Sequence, residues 1–129
     1  MKFAIQINTS PYHAHAGYSG YQFIVAALAL GHEIVRVFFY HDGVYHAFKY
    51  NNPPDDELAQ TRLWSQLASA YQLDLVVCIA AAQRRGLVTQ AELSALDNQA
   101  NEVAQGFRLA GLGQWLEATL LADRFLVFG

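Results

Sequence analysis

The stretch Leu73-Asp74-Leu75-Val76-Val77-Cys78-Ile79 is almost wholly apolar, and Ala80-Ala81-Ala82-Gln83-Arg84-Arg85-Gly86 follows it directly. A short apolar run of this kind predicts a buried strand, and the alanine-rich run after it predicts a short helix that stops at Gly86. The single cysteine, Cys78, therefore lies at the carboxyl end of a strand and the amino end of a helix. Open α/β sheets place their active crevices at this edge, and helix polarity there favours a thiolate.

Strands and helices alternate along the rest of the chain. β-branched and aromatic runs predict strands at Lys2–Asn8, Glu33–Tyr40, Phe107–Ala110 and Arg124–Phe128. Apolar spacing predicts helices at Tyr18–Leu30, from Asp55-Asp56-Glu57 in a first turn to about Gln72, and from Gln114 to about Ala122. A capping box, Thr89-Gln90-Ala91-Glu92, opens one more predicted helix, whereas the aromatic stretch from Gly43 to Asn52 is ambiguous. This alternation predicts a three-layer α/β/α single domain over residues 1–129, with a mostly parallel sheet of about five strands.

Bulk composition excludes several function classes. The 129 residues are 53% apolar, and 8 basic against 11 acidic side chains give a net charge of −3, which argues against broad contact with nucleic acid. No apolar run reaches the roughly 20 residues that a membrane-spanning helix needs. A lone cysteine cannot form an internal disulfide and so gives no evidence of an oxidising compartment. The simplest interpretation is a soluble, cytoplasmic protein.

The local sequence around Cys78 allows two interpretations of its role, an inert core residue or a functional thiol. Buried free cysteines are most often inert core residues, but the position at a strand end favours a functional thiol. Because no second cysteine is present, a dithiol oxidoreductase is excluded within this chain. A cysteine protease needs an oriented histidine, and nothing in the sequence pairs Cys78 with any of the five, which are His13, His15, His32, His41 and His46. A sulfur carrier needs one thiol only, since a second thiol nearby would release the sulfur as sulfide.

Other polar groups carry weaker signals. Arg84 and Arg85 end the short helix, where cations stabilise the helix dipole; the functional alternative is docking of an acidic partner near Cys78. His13 and His15 have a spacing that could hold a metal, but no further ligand lies near them, so no metal site is predicted. The loop Thr9-Ser10-Pro11 follows the first strand but lacks the glycine-rich run of a phosphate-binding loop, so no cofactor is predicted.

Several pieces of the chain, spread over nearly its whole length, resemble the DsrE-like sulfur-transfer family. They are Val37-Phe38-Phe39-Tyr40 with Gly43-Val44-Tyr45, Cys78-Ile79-Ala80-Ala81-Ala82 with Arg84-Arg85-Gly86, Gln105-Gly106-Phe107 with Gly111-Leu112-Gly113, and the later Glu117-Ala118 and Asp123-Arg124. Together these pieces are specific, although each alone is weak.

The resemblance implies that Cys78 is the persulfide-forming cysteine of a sulfurtransferase. It also implies TusB-like and TusC-like partner subunits in a dimer of heterotrimers, a TusA-like sulfur donor and a TusE-like acceptor. The sulfur would then serve 2-thiolation of the wobble uridine in certain tRNAs, without direct binding of tRNA. Three alternatives stay open: a relay subunit of dissimilatory sulfur oxidation, a non-catalytic scaffold subunit of a sulfur-transfer complex, and a flavodoxin-like cofactor binder.

Overall fold

A five-stranded parallel sheet forms the centre of the molecule. The computed structural model describes residues 1–89 and 101–129. The strands of this sheet are β1 Lys2–Ile7, β2 Glu33–Phe39, β3 Leu75–Cys78, β6 Phe107–Ala110 and β7 Arg124–Phe128, while β4 and β5 belong to a separate small sheet described below. The five strands stand in the order β6-β3-β2-β1-β7, and every neighbouring pair is parallel. The predicted α/β class with a mostly parallel sheet is confirmed.

Helices cover both faces of this sheet. They are α1 Ala16–Ala29, α2 Gln60–Tyr71, the short α3 Ile79–Arg84 and α4 Leu112–Leu121. Phe38 and Phe39 are consecutive in β2 and therefore point to opposite faces. The Phe39 ring lies 5.1 Å from the ring of Trp64 in α2, whereas the Phe38 ring stacks at 5.8 Å on Trp115 of α4. Since α2 and α4 thus lie on opposite faces, the three-layer α/β/α arrangement is confirmed.

One predicted helix start is wrong. The acidic residues Asp55-Asp56-Glu57 do not form the first turn of α2, which begins at Gln60. The Glu57 amide donates to the carbonyl oxygen of Pro54 at 3.0 Å, which closes a separate turn. Ala59 then adopts φ −81° and ψ 77°, outside the helical region, so the chain enters the helix only after it.

Other differences concern short elements. The ambiguous aromatic stretch overlaps a 3₁₀ helix at His41–Ala47. A separate two-stranded sheet pairs β4 Leu87–Val88 with β5 Asn101–Glu102, and the sequence patterns did not indicate this sheet. The capping box begins at Thr89, but the helix predicted after it lies outside the described residues. Among the described helices, none has the length and apolar character that crossing a membrane requires.

An ion-pair network ties α4 to the sheet immediately before β3. Arg36 donates from Nε to Asp74 at 2.6 Å and from Nη1 to the carbonyl oxygen of Gln114 at 2.7 Å. Arg108 donates to both Asp74 carboxylate oxygens, at 2.7 and 2.9 Å. Partial burial by itself raises the pKa of the Asp74 carboxyl, but the hydrogen bonds from Arg108 and Arg36 outweigh it, so the pKa is lowered.

Candidate functional site

Cys78 is the last residue of an interior strand. β3 pairs with β2 on one side and β6 on the other, in a register that places Cys78 beside Ala110 and Val77 beside Phe39. All four residues of β3 are buried, as the apolar run predicts for a strand with neighbours on both sides. Cys78 is also the N-cap residue of α3, with φ −59° and ψ 116°. The predicted position at the junction of strand and helix is therefore correct.

The Cys78 thiol lies on the face of the sheet that α4 covers. Val76 is in register with Phe38, and Cys78, two residues later, points to the same face. The side chain is 3% exposed, and in the part of the chain that the structure describes Sγ has no hydrogen-bond partner. Ile79 and Leu112, which follow the paired residues Cys78 and Ala110, are both exposed. Two exposed apolar side chains therefore lie close in sequence to the ends of β3 and β6.

Within the described residues, no histidine is hydrogen-bonded to Cys78. His32 contacts the amino terminus of Met1, and His13 and His15 lie in the loop before α1. The ring of His41 stacks on Tyr40 with 4.0 Å between centroids. The structure therefore does not supply the cysteine–histidine pair that a cysteine protease requires.

His46 has a structural role that the sequence analysis did not predict. It is fully buried, and because the indole of Trp64 can only donate, its Nε1 donates to His46 Nδ1 at 3.2 Å. The His46 proton is then on Nε2, which donates to the carbonyl oxygen of Thr9 at 2.9 Å. Burial lowers the pKa of His46 to about 4, against an opposing effect of the Thr9 hydrogen bond. His46 therefore connects the loop after β1 with α2 as a neutral ring.

Tyr40 is a neighbour of Cys78 that sequence reasoning also missed. It follows Phe39, which is in register with Val77, and it keeps extended dihedrals of −128° and 165°. Strand alternation therefore continues through Tyr40, so its side chain and that of Cys78 point to the same face from adjacent strands. The missing information was the order of the strands, which local sequence patterns do not contain.

The two arginines after Cys78 differ in their contacts. Arg85 is the C-cap residue of α3 and donates to the Ala81 carbonyl oxygen at 2.9 Å and to Asp42 at 2.9 and 3.1 Å. Gly86 follows with φ +78°, the left-handed conformation that ends a helix. Arg84 is exposed and has no ion pair among the described residues. Arg85 therefore has a structural role, whereas Arg84 makes no comparable contact within the described residues.

Several clefts in the described part of the chain do not include Cys78. One of about 370 Å³ is lined by Lys49, Asn51, Arg62, Ser65 and Ala104, among others, and one of about 310 Å³ by His13, His15, Tyr18 and Glu57. Cys78 lines neither of these two clefts nor three further ones in residues 1–89 and 101–129. The same residues contain no group of three histidine, cysteine, aspartate or glutamate side chains placed to hold a metal ion.

Comparison with known proteins gives a consistent result. The model of the DsrE/DsrF-like family matches residues 1–128. The chain is 52% identical over 129 residues to the "Putative sulfurtransferase DsrE" of Allochromatium vinosum, covering 100% of this chain and 99% of that protein. It is 39% identical over 128 residues to the "Sulfurtransferase TusD homolog" of Vibrio vulnificus, covering 99% and 98%. The crystal structure of the Escherichia coli ychN protein superposes with a TM-score of 0.79 at 19% identity, covering 99% of both chains, and so shares the fold.

Proposed function

Because the chain belongs to the DsrE/DsrF-like family, we propose that it is a sulfurtransferase whose Cys78 accepts persulfide sulfur and passes it to another protein thiol. Residues 1–129 act as one sulfur-transfer domain in this proposal. One observation carries it. The only cysteine of a chain with two full-length relatives named sulfurtransferases lies at the carboxyl end of an interior parallel strand.

The proposed chemistry is an exchange of one sulfur atom without net oxidation or reduction. The Cys78 thiolate attacks the outer sulfur of a donor persulfide, a new S–S bond forms, and the donor leaves as a thiolate. Cys78 then holds the sulfur as a persulfide. An acceptor thiolate attacks that outer sulfur in turn and restores the Cys78 thiolate. A single cysteine suits this exchange, since no second thiol of the chain can intercept the persulfide.

The burial of Cys78 means that the thiol must become exposed before it reacts with any sulfur donor, and docking of a partner protein would supply that change. A thiol that is 3% exposed meets few reagents from bulk solvent. The exposed side chains of Ile79 and Leu112, near the ends of β3 and β6, offer apolar contacts to a docking protein, and Arg84 adds an unpaired positive charge at the end of α3. These features support selection of the donor by protein contact.

The proposed relay operates in the cytoplasm, between a TusA-like donor and a TusE-like acceptor. The chain would act within a complex of TusB-like and TusC-like subunits, as a dimer of heterotrimers. The relayed sulfur would serve 2-thiolation of the tRNA wobble uridine. The identity to a protein named as a TusD homolog supports this assignment, and the net charge of −3 agrees with a subunit that does not bind tRNA itself.

A second candidate function uses the same thiol with different partners. It is a relay subunit of dissimilatory sulfur oxidation. The observation that favours it is the higher identity, 52% against 39%, to the relative named as DsrE. The two candidates differ in the fate of the sulfur, not in the chemistry at Cys78.

Complementation tests the proposal. A strain that lacks this chain would receive the wild type, Cys78→Ser or Arg84→Ala, and 2-thiouridine in its bulk tRNA would be measured by mass spectrometry. We expect the wild type to restore 2-thiouridine and Cys78→Ser to restore none while still assembling with its partner subunits. Arg84→Ala should restore it at a reduced rate, since only docking is weakened.

Each alternative gives a different result. Full restoration by Cys78→Ser would show a scaffold subunit and refute a catalytic Cys78. A strain whose 2-thiouridine is normal without this chain, but whose oxidation of stored sulfur fails, would favour the sulfur-oxidation relay instead.

A further inference from the structure

The ring of Tyr40 is fixed on the same face of the sheet as the Cys78 thiol. The Tyr40 and Phe38 rings are 6.2 Å apart, near twice the ~3.3 Å rise per residue of a strand, so both rings rise from the face that α4 covers. Cys78 points to this face from the adjacent strand β3. The imidazole of His41 stacks on the Tyr40 ring, with 4.0 Å between centroids and 20° between planes. Aromatic neighbours therefore hold the Tyr40 ring in place beside Cys78.

The hydroxyl is the one part of Tyr40 that this packing does not use. The two residues before it in β2, Phe38 and Phe39, make their ring contacts without a hydroxyl. Phenylalanine at position 40 could make the same contacts with Phe38 and His41. Within residues 1–89 and 101–129 the Tyr40 hydroxyl has no hydrogen-bond partner, so it is available to donate.

The outer sulfur of a persulfide on Cys78 would come closer to this hydroxyl than the thiol does. Adjacent strands lie about 4.8 Å apart, and a tyrosine side chain reaches farther from the sheet than a cysteine side chain. The Tyr40 hydroxyl therefore stands beyond Sγ, and in the described residues the two groups are not hydrogen-bonded to each other. A persulfide extends Cys78 away from the backbone by one S–S bond of about 2.05 Å, which brings the outer sulfur toward the height of the hydroxyl.

We propose that the Tyr40 hydroxyl donates a hydrogen bond to the outer sulfur of the Cys78 persulfide and is a second catalytic residue of the transfer. This inference rests on the proposed function, because it requires a persulfide on Cys78. The hydroxyl keeps its proton, so the exchange of one sulfur atom stays balanced without any further reactant. A hydrogen bond to a charged acceptor is stronger than one to a neutral acceptor, so Tyr40 stabilises the loaded form most when the outer sulfur is an anion.

The first test is the partition of sulfur between the full chain and a donor protein that carries one persulfide, measured at equilibrium by intact-protein mass spectrometry. Tyr40→Phe should lower the equilibrium constant for transfer to Cys78 by roughly 10-fold or more, since one hydrogen bond to a charged group is lost. Tyr21→Phe is the matched control. It removes a hydroxyl from a partly buried tyrosine of α1, whose ring lies 5.3 Å from that of Trp64 on the opposite face of the sheet. It should leave the equilibrium constant unchanged.

The second test is the pH dependence of alkylation of the outer sulfur by iodoacetamide, which reports the apparent pKa of that sulfur in the loaded chain. Tyr40→Phe should raise this pKa by about one unit, because the anion loses a donor. A ring-fluorinated tyrosine at position 40 is a stronger donor and should lower it. His41→Gln is measured in parallel, since the imidazole that stacks on Tyr40 also titrates.

The outcomes separate this proposal from the proposed function. A wild type that takes up no sulfur would refute both. A wild type that takes up sulfur, with the same equilibrium constant and the same pKa in Tyr40→Phe, would overturn the role of Tyr40 alone. A pKa that moves with His41→Gln but not with Tyr40→Phe would assign the effect to the imidazole and would also overturn it. If Tyr40→Phe does not fold, the fluorinated tyrosine decides, and an unchanged pKa there would overturn the proposal.

Discussion

Acidification is expected to destabilise the protein through His46. In the unfolded chain this histidine has its ordinary pKa of 6.5 and binds a proton when the pH falls below that value. In the folded protein burial lowers the pKa to about 4. Between these values the unfolded state binds more protons, so stability is complete above pH 6.5 and is lost as the pH falls toward 4. A difference of about 2.5 pH units corresponds to about 3 kcal/mol of unfolding free energy.

Urea unfolding at a series of pH values from 7.5 to 4, at constant ionic strength, measures this effect through tryptophan fluorescence and circular dichroism. His46→Phe removes the imidazole that takes up the proton. It also leaves the indole N–H of Trp64 and the carbonyl oxygen of Thr9 without their hydrogen bonds to His46. It should therefore cost about 1–3 kcal/mol at pH 7 and show a flatter dependence on pH. His13→Gln, at an exposed site, should keep the wild-type slope.

The reasoning about His46 is refuted if His46→Phe loses as much stability between pH 7 and pH 4 as the wild type does. It is also refuted if the wild type loses less than about 1 kcal/mol over that interval, since a buried neutral histidine requires the larger loss.

Two further substitutions have matched controls and are read from the midpoint of thermal or urea unfolding. A Cβ atom added at Gly43 would lie 2.0 Å from the carbonyl oxygen of Ile7, so Gly43→Ala should lower the free energy of unfolding by about 3 kcal/mol or more. The control Gly111→Ala adds a Cβ atom that meets nothing within 4 Å and should be nearly neutral. Equal effects of the two substitutions would contradict this prediction. Asp74→Asn leaves Arg36 and Arg108 without their shared carboxylate and should lower the free energy of unfolding by about 1–3 kcal/mol. The control Asp55→Asn, at an exposed residue, should change it by less than about 0.5 kcal/mol. A neutral Asp74→Asn would show that the ion-pair network contributes nothing to stability.

The fold class could be predicted because its signals are local. The apolar run that ends at Cys78 is buried on both faces, as is typical of a parallel strand with helices over both faces of its sheet. Glycine also marked one boundary correctly, since Gly86 ends α3 with a positive φ. Each of these signals depends on residues that are close in sequence.

The parts that could not be predicted depend on distant contacts. The acidic residues 55–57 have the pattern of a first helical turn, yet a turn closed by Pro54 and the conformation of Ala59 delay the helix to Gln60. Likewise, His46 looks like any other histidine in the sequence. Its role arises from Trp64 and Thr9, which lie 18 and 37 residues away. Contacts of this range are set by the tertiary fold and leave no local pattern.

The central claim is that Cys78 carries one sulfur atom as a persulfide. It is tested most directly by intact-protein mass spectrometry after incubation with a persulfide donor protein and removal of excess donor. The account predicts that the wild type gains the mass of one sulfur atom, that Cys78→Ser gains none, and that a thiol reductant reverses the gain. A wild type that gains no sulfur, or a Cys78→Ser variant that gains as much, would contradict it.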